Sequence, residues 1–139
     1  MNDEFKSKYL QPETCFACGT KNPHGLHVHF DRFGAGSRGV FVPEAHHEGW
    51  PGIVHGGILA TLLDEAMAYA LWFADIRAVT ARMETRFRRT VGAGDEIVIT
   101  GQVTGTKRSV VDAVGTVTRA DGSVVAEANG RFMPADVSY

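Results

Sequence analysis

The stretch HGGILATLLDEAMAYALWF, residues 55–73, decides the fold. Leu59, Leu63, Ala66, Ala70 and Phe73 recur at helical spacing, and Ile58, Leu62 and Met67 widen the stripe until most of the circumference is apolar. The spacing predicts one helix from Gly56 to about Phe73, roughly five turns at 3.6 residues per turn. A helix so apolar has to be wrapped by a sheet or covered by a partner. At its start Gly56 and Gly57 leave backbone N–H groups uncovered by any side chain, and two turns later Asp64 and Glu65 interrupt the apolar run. A buried carboxylate is costly without a task, so the pairing suggests an oxyanion site with its acid or base nearby.

Working outward, everything after the helix reads as strand. Val79, Ala81, Met83, Thr85 and Phe87 alternate with Thr80, Arg82, Glu84, Arg86 and Arg88. Turns at Gly92-Ala93-Gly94-Asp95 and at Gly105-Thr106-Lys107-Arg108 separate strands at 97–104 and 110–119, and Asp121-Gly122 is a type I′ hairpin signal before a last strand at 124–133. These four strands are expected to form an antiparallel meander. Before the helix, Leu26 to Phe30 and Arg38 to Val42 alternate around a Gly34-Ala35-Gly36 turn and read as a hairpin, followed by a loop over 44–54. The fold class is therefore α+β: a long central helix, inserted between strands two and three, wrapped by a six-stranded antiparallel sheet. One helix cannot cover both faces of so wide a sheet, which points to a homodimer or homotetramer, with the strand at 78–88 a candidate for pairing across a two-fold axis.

The 139 residues fit an N-terminal arm at 1–25, rich in turn formers, and one domain at 26–139. A formal charge of −2 gives no reason to expect nucleic acid or an acidic membrane as partner. The opening MNDEFKSKYLQPETC has no apolar signal core, and the one long apolar run carries two acids, so a cytoplasmic, soluble protein is expected. Cys15 and Cys18 with His24 and His27 have zinc-ligand types, but the middle spacing is short for a finger and Pro23-His24-Gly25 reads as a tight turn. The expectation is a loop with two buried thiols and no metal or cofactor.

These residues resemble the hotdog-fold acyl-CoA thioesterases, in particular their phenylacetyl-CoA-type branch. The likeness rests on Pro51-Gly52-Ile53-Val54, the His55-Gly56-Gly57 helix start, Asp64 nine positions after His55, Val79-Thr80-Ala81, Gly94-Asp95 and Asp121-Gly122, and spans about residues 26–133. It implies hydrolysis of an acyl-CoA or related thioester, with no cofactor beyond the CoA of the substrate. Gly57 would give its N–H to the thioester carbonyl at the positive end of the helix dipole. Asp64, reaching in from another subunit, would act as general base or nucleophile, and Thr80 would help to hold the attacking water. Where relatives often carry Asn or Gln, six positions before His55, this chain has Gly49.

Plainer roles stand beside these. Asp64 is also compatible with a solvated ion pair to Arg86 or Arg88, although Leu62, Leu63, Ala66 and Met67 bracket the acids and should push at least one carboxyl into an apolar setting that raises its pKa. Glu65 points to another face. His55 is a helix-start residue as readily as a catalytic one, and Gly56 also serves a tight helix entry. His47 and Trp50 lie in the loop that would border the substrate, Trp50 shaping an acyl pocket or capping the loop. Arg86, Arg88, Arg89, Lys107 and Arg108 are candidates for CoA phosphates, or an ordinary charged strand face. An acyl-CoA-binding protein without turnover and an acyl thioester hydratase or dehydratase are the alternative functions.

Overall fold

A computed structural model describes residues 13–134. The first twelve residues of the arm and the last five of the domain lie outside the described residues. Six strands, β1 (Phe30–Phe33), β2 (Gly36–Phe41), β3 (Ala78–Phe87), β4 (Ile97–Lys107), β5 (Val110–Arg119) and β6 (Val124–Pro134), form one antiparallel sheet, and α1 (Gly56–Phe73), the one α-helix among the described residues, falls between β2 and β3. The helix bounds are those the apolar spacing predicts. Leu59, Leu62, Leu63, Ala66, Met67, Ala70 and Leu71 are buried along it against Ile97, Ile99, Val111, Val117, Val125 and Phe132 of the sheet. Contact is closest at Gly101 of β4, where a Cβ would lie 2.2 Å from the Ala66 carbonyl oxygen, so only glycine lets helix and strand meet there. Ser37 of β2, fully buried, donates its hydroxyl to the same carbonyl at 2.6 Å.

The strand order is β1-β2-β4-β5-β6-β3, which corrects the expected meander. Of the four strands after the helix, only β4, β5 and β6 are consecutive neighbours. After β3 the chain crosses the end of the helix through 88–96, with Val91 buried and its carbonyl accepting the Val54 N–H at 2.9 Å, and β3 is left at the far edge beside β6. A nine-residue connection with a buried apolar residue is a crossover rather than a hairpin turn.

Three smaller differences have local causes. The first strand begins at Phe30, not Leu26: Leu26 and Val28 point inward as expected, but their N–H groups bond to Phe16 and Ala17 of the arm, and His27 takes a φ of 55°. A bulge between Val103 and Gly105 lets β4 run on to Lys107, which moves the turn to Arg108-Ser109. The last hairpin is not type I′, which needs positive φ at both central residues. Only Gly122 is positive (φ 86°), with its N–H on the Arg119 carbonyl and the Arg119 N–H on Ser123, the pattern of a type I turn with a glycine bulge. No helix among the described residues is long and apolar enough to cross a membrane.

Candidate active site

The loop before α1 is rigid, and its rigidity places His55. Glu44 donates its N–H to His47 Nδ1 at 2.9 Å, and the buried His47 ring packs on Phe41 with 5.2 Å between centroids. Burial, and secondarily the neighbouring His46, holds the His47 pKa below its ordinary value against the pull of Glu44. His47 is thus a structural member of the loop. Its carbonyl accepts the His55 N–H at 2.9 Å.

His55 is the N-cap of α1, and its Nδ1 accepts the Gly57 N–H at 2.8 Å, which puts the ring proton on Nε2. The ring lies between two glycines: a Cβ at Gly57 would stand 2.9 Å from Nδ1, and one at Gly49 3.1 Å from Cδ2. The donor that the resemblance assigns to the carbonyl, Gly57, is therefore already engaged. Among the described residues the Gly56 N–H makes no hydrogen bond. Gly56 lines a cleft of about 490 Å³ together with Gly49, Trp50, Ile53, Val54 and His55. Trp50 stands on its rim, 80% exposed, and Phe87 of β3 comes within 3.6 Å of where a Gly56 Cβ would sit.

Asp64 is half-buried, and its Oδ1 accepts the Thr80 hydroxyl at 2.6 Å. Simple alternation would put Thr80 on the outer face with Arg82 and Arg86. A bulge prevents this: Thr80 pairs with Phe132 and Arg82 with Arg131, so Ala81 is an extra residue and Thr80 shares the inward face of the buried Phe132. The carboxyl that enters the apolar setting is that of Glu65 rather than Asp64. Burial pushes the Glu65 pKa up to about 7, and its side chain faces Cys15, with 3.8 Å between Sγ and Oε1, not the cleft. Asp64 lies eight residues beyond Gly56, about 12 Å along the axis at 1.5 Å per residue, so one chain does not bring the two to one small group.

The basic residues are dispersed. Arg88 donates through Nε to Glu127 at 2.8 Å, and Arg86 sits 3.6 Å from Glu84, both pairs exposed on the outer face of the sheet. Arg86 is level with Glu127 and Thr116, whereas Lys107 is level with Val110, six residues away along β5, so the two sets are about 20 Å apart at 3.3–3.4 Å per residue. Among the residues missed in the sequence, Ile53 and Phe87 border the helix start. The open donor was itself readable: an N-cap side chain takes the N–H of the second or third helical residue, here Gly57, and leaves the first.

Residues 51–126, more than half of the chain, match the family model of the thioesterase superfamily, and the chain belongs to that superfamily. No curated protein matches it. Among solved structures, a thioesterase superfamily protein superposes with a TM-score of 0.83 at 25% identity, covering 87% of this chain and 60% of its own, so the chain spans about three fifths of that protein. The Escherichia coli PaaI protein from the phenylacetic acid degradation operon gives a TM-score of 0.75 at 22% identity over 81% of this chain and 83% of its own. The smu.793 protein of Streptococcus mutans, bound to acetyl CoA, gives 0.74 at 19% over 81% of this chain and 91% of its own. The fold is the hotdog fold that the sequence resembles, a long helix on a six-stranded antiparallel sheet.

Proposed function

We propose that the protein hydrolyses an acyl-CoA or related acyl thioester to the free acid and thiol. Membership of the thioesterase superfamily supports the reaction class, and the neighbour bound to acetyl CoA supports the substrate class. The observation that carries the reading is the unbonded N–H of Gly56 at the positive end of α1, a residue that lines a cleft of about 490 Å³. In this proposal Gly56 polarises the thioester carbonyl, a role first assigned to Gly57. His55 holds the helix start in shape. Asp64, oriented by Thr80, takes the proton of the attacking water or attacks the carbonyl itself. Because Gly56 and Asp64 are about 12 Å apart along one helix, the site is completed by Asp64 of a second copy, and the exposed β3 edge, with Val79 and Phe87 uncovered, supports such an assembly.

The test is release of free thiol from short, medium, long and aromatic acyl-CoAs by wild type and Asp64→Asn at equal concentration. Hydrolysis by the wild type that falls at least a hundredfold in Asp64→Asn is expected. Full activity in Asp64→Asn overturns the role of Asp64. No release from any ester, with CoA esters still raising the melting temperature, replaces hydrolysis by binding without turnover.

A further inference from the structure

The segment Cys15-Phe16-Ala17-Cys18-Gly19 is a tight turn held from several sides. Gly19 donates its N–H to the Cys15 carbonyl at 2.9 Å, Lys21 to Glu13 at 2.8 Å, Leu26 to Phe16 at 2.8 Å and Val28 to Ala17 at 3.0 Å. A Cβ on Gly19 would lie 2.5 Å from the Cys15 nitrogen, so the residue after the second cysteine has to be glycine. Both sulfurs are turned onto the middle of α1, where the Glu65 carboxyl meets them: one donor atom from each of Cys15, Cys18 and Glu65 lies within 4.8 Å of the others. Burial first, and Cys18 after it, holds the phenol of Tyr69, one turn further along α1, above its ordinary pKa.

Among the described residues, the groups that act most on Glu65 are the two cysteines and Asp64, all of them neutral or acidic. A cation would meet three donors here, one carboxyl oxygen and two sulfurs, each able to bind it after losing its proton. The spacing suits one. In a tetrahedral zinc site, with Zn–S near 2.3 Å and Zn–O near 2.0 Å, ligand atoms stand about 3.5–3.8 Å apart, and Cys15 Sγ is already 3.8 Å from Glu65 Oε1. The histidines of the sequence string do not take part: neither His24 nor His27 brings a ring nitrogen into the group, and the His27 ring bonds to the Asn22 carbonyl.

We propose that Cys15, Cys18 and Glu65 bind a zinc ion that clamps the N-terminal arm onto the central helix. Two thiolates favour zinc over magnesium or calcium, and three protein ligands leave the fourth position to water. A Cys15–Cys18 disulfide, the other fate of a C-x-x-C pair, would remove both thiolate donors; in this structure the two cysteines are free.

The experiment uses the full chain, purified under reductant without chelator. Metal content by mass spectrometry is expected at about one zinc per chain, falling to background in Cys15→Ser and Cys18→Ser. In Glu65→Gln the zinc affinity, read by competition with a chromophoric chelator, is expected to drop about 10- to 100-fold. Cobalt(II) in place of zinc should give a thiolate-to-metal charge-transfer band and the intense visible bands of a four-coordinate site. Thiol titration of wild type alone covers the case in which a variant does not fold: both cysteines should react after chelation and be protected when zinc is restored. A chain that stays metal-free after zinc is supplied, a cobalt spectrum without the thiolate band, or a Cys15–Cys18 disulfide persisting under reductant overturns the proposal.

Discussion

His55 holds its Nδ1 on the Gly57 N–H, and by doing so decides which amide of α1 is open to a ligand. The first helical residue is also where proline is tolerated, because the N–H it lacks has no intrahelical partner. The residue before it, His55, has φ −59° and ψ 132°, the extended region that proline requires of its predecessor. Gly56→Pro therefore removes one donor with little else. A loss of about two to three orders of magnitude in kcat is expected with the melting temperature nearly unchanged, read by thiol release and thermal unfolding. Thr80→Val keeps the shape of the side chain and deletes the hydrogen bond to Asp64. Its expected effect is a fall of about 10- to 100-fold in kcat with KM little altered, the range of one hydrogen bond to a carboxyl group.

At the scale of elements, the helix was legible to the residue because its apolar period, its opening glycines and its capping histidine agree. Strand positions were legible to within a few residues. Strand order was not, since a period of two says which face a residue takes and nothing about which neighbour pairs with it. Thr80 shows the same limit more sharply: one bulged residue, Ala81, reverses the face that alternation assigns, and no local residue pattern announces it. The acids Asp64 and Glu65 were found together, but which of them enters the apolar setting depends on where the arm folds back, a long-range fact. Gly101 is the element-scale test. Gly101→Ala would drive a methyl into the Ala66 carbonyl and lift α1 off β4, for an expected loss of about 3 kcal/mol, the upper end of overpacking costs, measured by denaturant unfolding.

For the whole molecule, the proposed site divides between two copies, and that division has an arithmetic. Asp64→Asn and Gly56→Pro each inactivate every site in their own homodimer. In a mixed dimer one site receives both defects and the other neither. Mixing the two inactive variants under conditions that let subunits exchange is expected to restore about a quarter of wild-type activity, since random exchange makes half the dimers mixed and each holds one intact site of two. No recovery, with exchange shown by a tagged copy, would place both groups of a site on one chain.

The position of β3 at the sheet edge, bonded among the described residues to β6 alone, also sets when the protein can be completed. β3 precedes that partner by about forty residues in the chain, so during synthesis it waits unpaired until β6 has left the ribosome. A nascent chain halted before Val124 should remain open to protease across β3 and α1, and one released beyond Pro134 should close and resist, which makes the final strand the latch of cotranslational folding.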